Sequence, residues 1–513
     1  MSANSNNNKQ IAKNTSLLYV RMLVMLVINL YTSRVILRTL GVVDFGINNV
    51  VGGVIGMLGF ITGSLSGASS RYITYDLGKG DITKLTKVFS SVIYIHYLIA
   101  ILILVLGETI GLWFMMTKLQ LPAERATAAL WVYQFSIFSS ILGIISIPYN
   151  ADIIAHERMS AFAYITLLDA ALKLLIVYLL VVIPFDKLIV YAILFFFIQL
   201  LDRVIYYQYC RKHFVESKAK PIFDKALFKE ISGYAGWTMT GNLAVVGYTQ
   251  GLNILLNMFF GPAVNAARGI AVQVQNVCQQ FCSNFQMAIN PQLTKSYAQN
   301  DLDRMHNLLI RSSKFSFYII LFIAIPLMIE AQMVLKVWLG IVPDHTVNFL
   351  RLILIIGILY TLSNPILTAL HATGQIRKFQ IVESSMLLSI VPIAYLLLKL
   401  FGIPPEYVFV VHITIEMITQ YVRLYMILPM IKMKKIIYVK KVIIPISIVV
   451  ILSPIAPLIV NNFVKNGVVN FFSVCITCIV FVSAIIYFIG CTDREKEFLR
   501  GQALKACNRF NRT

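Results

Sequence analysis

Long apolar runs such as Ile93–Leu106, Ile319–Ile329 and Val442–Ile459 recur from one end of this chain to the other. A helix needs roughly 20 apolar residues to cross the hydrocarbon core of a bilayer. A spanning β-barrel would show alternating segments of about 10 residues instead. Runs of this kind, in a chain that is 58% hydrophobic and 13% charged with a mean hydropathy of +0.77, exceed what one soluble core can absorb. The expected fold class is therefore an all-α polytopic membrane protein with about 14 transmembrane helices.

The expected spans in the first half are Thr15–Ile36, Gly46–Ala68, Val88–Phe114, Thr127–Pro148, Ala161–Ile183, Leu188–Cys210 and Gly233–Phe260. The second half supplies Asn265–Ile289, Phe315–Leu335, Val347–His371, Ile381–Leu400, Tyr407–Ile431, Val439–Val460 and Val468–Ile489. The fourth and eighth carry the most small or polar residues. The polar start, Met1–Asn14, runs into an apolar segment without a small-residue cleavage site, so no cleavable signal peptide is expected.

Positive charge gives an independent check. With this span count, one side holds Lys9, Lys13, Arg71, Lys79, Arg158, the Arg211–Lys229 cluster, Lys295, Arg377, Lys432 to Lys441 and the basic tail. The other side holds Arg34, Arg38, Lys118, Arg125, Lys187, Lys336, Lys399 and Lys465. The split is roughly thirty against eight, as expected when the positive side faces the cytoplasm. Both termini are then cytoplasmic. The same pattern accounts for the net charge of +21 without nucleic acid, since no basic patch interleaves with aromatics.

The loop Arg211–Ser232 divides the chain. The expected organisation is an N-terminal six-helix lobe (1–232), a C-terminal six-helix lobe (233–431), and two further helices with a basic tail (432–513). An offset of 220 places Gly41 on Gly261, Thr74 on Thr294 and Asp81 on Asp301. It keeps the membrane orientation, so the expected repeat is parallel, with a pseudo-two-fold axis along the membrane normal.

Polar groups inside spans are costly and face a cavity or a partner. On the eighth span, Arg268, Gln275, Gln279, Ser283, Gln286 and Asn290 follow the helical period, and Asn276 and Gln280 widen the stripe. The seventh span repeats this with Thr238, Asn242, Thr249 and Asn253, and the first with Asn14, Arg21 and Thr32. These stripes read either as the wall of a wet cavity or as hydrogen-bonding glue between helices. The two arginines favour the cavity. Guanidinium groups pair with phosphate, and amides match sugar hydroxyls as donors and acceptors. An anionic, hydroxyl-rich substrate is therefore expected, held by Arg21, Arg268, Asn242, Asn253, Gln275, Gln279, Gln286 and Asn290.

Glu416 and Glu383 are candidates for a coupling proton or Na⁺; charge neutralisation between helices is the plainer role. Glu416 and Arg423 share a face, as do Asp169 and Lys173. The glycines Gly52, Gly56, Gly59, Gly63 and Gly67 of the second span allow either close packing or bending. Cys475 and Cys478 form a C-x-x-C inside an apolar run and read as packing residues. His96 and His412 lack a second ligand at metal-binding spacing, so neither a metal nor a cofactor is expected. There is no phosphate-binding loop of the G-x-x-x-x-G-K-[ST] type, no H-E-x-x-H and no G-x-S-x-G, so a transporter is expected and not an enzyme.

The segment Gly261-Pro-Ala-Val-Asn-Ala-Ala-Arg-Gly-Ile-Ala-Val-Gln-Val-Gln resembles the polysaccharide flippases of the multidrug/oligosaccharidyl-lipid/polysaccharide exporter superfamily. Asn284-Phe, Asn290-Pro-Gln-Leu-Thr-Lys-Ser-Tyr-Ala and Ser33-Arg-Val-Ile-Leu-Arg-Thr-Leu-Gly-Val-Val-Asp-Phe-Gly extend the likeness, which covers most of the chain up to about Met430. The resemblance implies two six-helix lobes in a V, two added C-terminal helices and alternating access without ATP. It implies an undecaprenyl-pyrophosphate-linked oligosaccharide, an O-antigen or capsule repeat unit, moved to the periplasmic leaflet of a bacterial inner membrane. A glycan polymerase and glycosyltransferases would be partners. In the related lipid II flippases, arginines on the first, second and eighth helices matter. Arg21 and Arg268 match the first and eighth, while the second span here has none, since Arg71 lies at its end. A cation-coupled drug or metabolite antiporter and a non-transporting scaffold for glycan assembly are the alternatives.

Overall fold

The structure, a computed structural model, describes residues 2–56, 59–118, 123–218, 222–464, 467–493 and 495–497, all helical apart from short connections. Helix α1 (Ser2–Gly56) contains the first span and, past a break at Gly41, the start of the second. Then come α2 (Gly59–Lys79), α3 (Ile82–Leu106), α4 (Ala126–Ala155), α5 (Met159–Val182), α6 (Lys187–His213), α7 (Lys225–Phe260) and α8 (Pro262–Ala298). The series continues with α9 (Leu302–Ile329), α10 (Ala331–Leu339), α11 (Thr346–Thr373), α12 (Arg377–Leu388), α13 (Ile390–Phe401) and α14 (Glu406–Met430). Two more hydrophobic stretches, Lys435–Phe463 and Gly467–Gly490, follow.

Eleven helices among the described residues are long and apolar enough to cross a membrane. The second, eighth and twelfth expected spans are not among them. The second is rich in glycine and serine, α8 is laden with amides, and α14 carries Glu416 and Arg423. All three are nonetheless helical where described. The expected ninth span is cut at Glu330, which separates α9 from α10. Arg34, Gly52, Gly56, Gly59, Lys465 and the tail from 498 lie outside the residues whose side-chain surroundings are described.

The 220-residue offset reappears in the backbone. Gly41 and Gly261 both have positive φ, +79° and +83°. Gly80 (φ +76°) and its counterpart Asn300 (φ +58°) are again left-handed, at the α2–α3 and α8–α9 junctions. Glycine and asparagine are the residues that enter this region at low cost. Two of the short connections thus carry a left-handed residue at the same offset.

The chain divides into two compact units. The first comprises Met1–Val246, Met287–Asp301 and His371–Ser384; the second comprises Gly247–Gln286, Leu302–Leu370 and Ser385–Thr513. Within the first unit, Ile36, Leu40 and Val51 of α1 pack with Val132, Tyr133 and Ile137 of α4, Val177 and Leu180 of α5, and Leu188 and Ile198 of α6. Tyr133 donates a hydrogen bond to the Gly107 carbonyl (2.7 Å), where a wide turn interrupts the helix that follows α3. At one end of this core, Arg125 bridges Asp44 (2.6 Å) and Asp186 (2.5 Å), tying three inter-helix junctions together. Burial among apolar helices does not by itself drive such packing in lipid, so close fit and buried hydrogen bonds matter more.

In the second unit, the C-terminal hydrophobic stretches pack on α9. Lys314 and Glu495 form a buried ion pair (2.8 Å), Tyr438 donates to Ser313 (3.0 Å), and Asn470 donates to Glu330 (2.6 Å).

Candidate functional site

Two arginines inside spans are candidate binding residues, and each is described within its own unit. Arg21 is half-buried in the first unit. Its Nε donates to Thr166 Oγ1 on α5 (2.6 Å) and its guanidinium lies 4.5 Å from the centre of the Phe162 ring. Arg268 belongs to the second unit and is 7% exposed. Its Nη1 donates to Asn253 Oδ1, its Nη2 to the Thr249 carbonyl (3.3 Å), and its Nε has no hydrogen-bond partner among the described residues. Asn253 in turn donates to Gln250 Oε1 (3.0 Å), an exposed side chain. Neither arginine has a carboxylate partner among the described residues, although other membrane-embedded charges here do. Lys173 pairs with Asp169 (2.8 Å), and Arg423 pairs with Glu416.

The amides of α8 divide into two faces. Gln279 donates to the Gly357 carbonyl of α11 (2.7 Å), and Gln275 also lies against Gly357. Gln286 is buried, donating to Ser316 Oγ of α9 (3.0 Å) and to the Thr361 carbonyl (3.4 Å). These three side chains hold helices together. The exposed face is instead Gly269, Gln273, Asn276, Gln280 and Ser283, spaced four, three, four and three residues apart. The open polar face is thus rotated from the stripe expected from sequence, and Arg268 sits at its edge. Gln273 and Gln250 were missed; the 273–276–280–283 spacing carried the signal, but α8 has amides on most of its circumference.

The remaining expected residues fall as follows. Asn242, in the first unit, donates to Ser64 Oγ of α2 (2.7 Å). Asn290, also in the first unit, has a buried Oδ1 without a hydrogen-bond partner among the described residues. Glu383 is buried in the same unit. Glu416 accepts from Arg423 in a buried cluster that includes Ser363 and Gln420. Of the glycine stripe, a Cβ at Gly63 would meet only Asn242 at ordinary contact distance (3.8 Å), and one at Gly67 would meet nothing within 4 Å. Tight helix approach occurs elsewhere, as at Gly78 and Gly251. His96 Nδ1 donates to the Val92 carbonyl (2.7 Å), and the His412 ring meets Tyr248 edge-on.

A chemical inventory follows from this geometry. Arg21 and Arg268 have no carboxylate partner among the described residues, and the open face of α8 offers neutral amides and a hydroxyl. Guanidinium groups pair with anions, and neutral amides match hydroxyl groups as donors and acceptors.

Neither a family model nor a curated protein matches this chain. Solved structures do. It is similar to MATE in the bent conformation (13% identity, 81% of this chain and 94% of that one, TM-score 0.71). It is similar to an outward-facing multidrug resistance MATE family transporter of the MOP superfamily (14% identity, 83% and 97%, TM-score 0.69). It is also similar to a MOP superfamily transporter from Pyrococcus furiosus whose pocket of reversed polarity suggests a different function (12% identity, 80% and 94%, TM-score 0.67). At such low identity these likenesses establish architecture alone: this chain is an all-helical polytopic membrane protein with the fold of the MATE structures.

Proposed function

We propose that this protein is a flippase that moves a lipid-linked oligosaccharide across a bacterial inner membrane, with both termini in the cytoplasm. The cargo is an anionic, hydroxyl-rich amphiphile such as an undecaprenyl-pyrophosphate-linked O-antigen or capsule repeat unit. The observation that carries this reading is the pair of membrane-embedded arginines, Arg21 and Arg268, without carboxylate partners among the described residues. An uncompensated charge inside a span costs about 2.5–3.5 kcal/mol on insertion scales, which an anionic ligand would offset. Pyrophosphate suits the planar guanidinium fork. The amide face of α8 would meet the sugars, and alternate exposure of the site to the two membrane faces would complete transport. Glycan polymerases and glycosyltransferases would be its functional partners.

The test is flipping of a defined lipid-linked glycan by the purified protein in liposomes, beside surface polysaccharide in cells. Arg268→Ala should abolish both while the protein still reaches the membrane. Normal surface polysaccharide in that variant would overturn the role of Arg268.

A second reading, a cation-coupled exporter of drugs or metabolites, is favoured by one observation: a solved structure sharing this fold is a multidrug resistance transporter. Glu416 or Glu383 would then carry the coupling ion. Rescue of a drug-sensitive host would support it.

A further inference from the structure

Helix α4 ends at Ala155, and α6 ends at His213. At these two ends, within the first unit, three side chains converge that the transport reading leaves unused: Asp152 in the last turn of α4, and His156 and Glu216 just beyond the two helices. One ligand-type atom from each lies within 4.8 Å of the others. His156 Nε2 is 2.7 Å from Glu216 Oε1 and 3.8 Å from Asp152 Oδ1. Asp152 is fully buried, and neither of its carboxylate oxygens has a hydrogen-bond partner among the described residues. Glu216 is 4% exposed. Two buried carboxylates within 4.8 Å of each other repel when both are ionised, and a buried oxygen without a partner is costly to keep. The His156 ring is held in place by stacking on Phe214, centroids 4.0 Å apart.

We propose that Asp152, His156 and Glu216 bind a divalent metal ion that accepts mixed nitrogen and oxygen ligands, Zn²⁺ or Mn²⁺. One imidazole and two carboxylates form a nitrogen–oxygen donor set that suits these ions better than a soft one. The charge balances, because two carboxylates and a neutral imidazole carry −2. Ligation through Nε2 requires that nitrogen to be free of the proton it shares with Glu216. The helix ends add to the attraction. The negative ends of α4 and α6 both lie beside the site, and that is where a cation is favoured. Cys210 is not needed as a ligand, since its thiol donates to the Tyr149 carbonyl (3.3 Å). The ion would clasp the end of α4 to the segment that leaves α6. Asp152 and His156 are four residues apart on one helix face, with Glu216 sixty residues further on, so only the fold assembles the set.

The experiment uses the full chain purified in detergent without a polyhistidine tag and stripped with chelator. Zn²⁺ and Mn²⁺ binding is measured by calorimetry and by metal content after dialysis. The expected result is one equivalent per chain and a raised thermal unfolding midpoint. Asp152→Asn and His156→Gln should each lower affinity by about tenfold or more, since each removes one of three ligands. No stoichiometric binding by the folded wild type, or undiminished binding in both variants, overturns the proposal. Should a variant fail to fold, Co²⁺ added to the wild type decides: visible bands of nitrogen–oxygen coordination support the site, and a spectrum of free aqueous ion overturns it.

Discussion

Lys295 Nζ lies 2.8 Å from Glu157 Oε1, and Gln292 donates to the second carboxylate oxygen of the same residue (3.1 Å). Glu157 sits in the left-handed region (φ +58°) between α4 and α5, and both of its partners come from the last turns of α8. Asn14 of α1 also donates to its backbone carbonyl (3.5 Å). One acidic residue in a short turn therefore gathers α1, α4, α5 and the end of α8 within the first unit. Glu157→Gln should keep the turn and lose the ion pair. The two partners are 22% and 15% exposed, so solvent screens part of the attraction and a loss of about 1 kcal/mol is expected. A lowered thermal unfolding midpoint that Lys295→Met does not lower further would show that the two act as a pair.

Close approach at Gly78 leads to a second prediction. A Cβ there would lie 2.9 Å from the Lys295 Cα and 3.2 Å from its carbonyl oxygen. Backbone cannot swing aside as a side chain can, so α2 and the end of α8 would have to separate. Gly78→Ala should cost about 1–3 kcal/mol, as overpacking of well-fitted interiors does. Gly67→Ala, where a Cβ would meet nothing within 4 Å, is the control and should leave the melting midpoint unchanged.

At Arg268, charge and geometry can be separated. Lysine keeps the charge but loses the planar fork that reaches Asn253 and the Thr249 carbonyl together. Flipping by Arg268→Lys in liposomes should fall between wild type and Arg268→Ala. Equal activity of Lys and wild type would mean that only the charge matters.

The open face of α8 and its packing face should respond differently to the same change. Gln280→Leu removes an exposed amide and should reduce transport with little effect on stability. Gln286→Leu removes a buried amide and strands Ser316 and the Thr361 carbonyl, and should lower stability by about 1–3 kcal/mol. Measuring both unfolding and transport for each variant checks the rotation of the polar face described above.

The Arg125 cluster predicts a pH dependence. The hydrogen bond from Arg125, more than any other contact, holds the Asp186 carboxyl below its ordinary range. A depressed carboxyl stabilises the fold above its unfolded value, near 4, and that contribution is lost as pH falls through the folded value. The difference in melting midpoint between wild type and Asp186→Asn should therefore be constant from about pH 7 to pH 5 and shrink below pH 4. A difference that grows on acidification would contradict the assignment.

Much of this architecture is legible in the sequence. Apolar length located the helices, since each must satisfy its own backbone in lipid. The 220-residue offset, resting on a few identities, matched positions where the backbone later proved left-handed. The candidate site was less legible. Arg268 and Asn253 could be placed on stripes, but α8 has amides around most of its circumference, so period alone did not say which of them face neighbours. Gln279 and Gln286 meet α11 and α9, and those contacts depend on how helices are rotated against each other. Asp152 and His156 share a helical face in sequence, yet nothing in the sequence brings Glu216 to them.

By itself, then, the sequence determined that this protein lives in a bilayer as a bundle of many helices, and that its membrane-embedded charge includes arginine. These follow from hydropathy and charge, which are properties of the chain at each position. Only the tertiary structure decided which amides bond to neighbouring helices and which stay open, which arginines lack a counter-charge, and which acidic groups meet a histidine. Those outcomes depend on side-chain direction and on contacts between residues far apart in the chain, and a hydrogen bond or ion pair forms only where both partners arrive within about 3–4 Å.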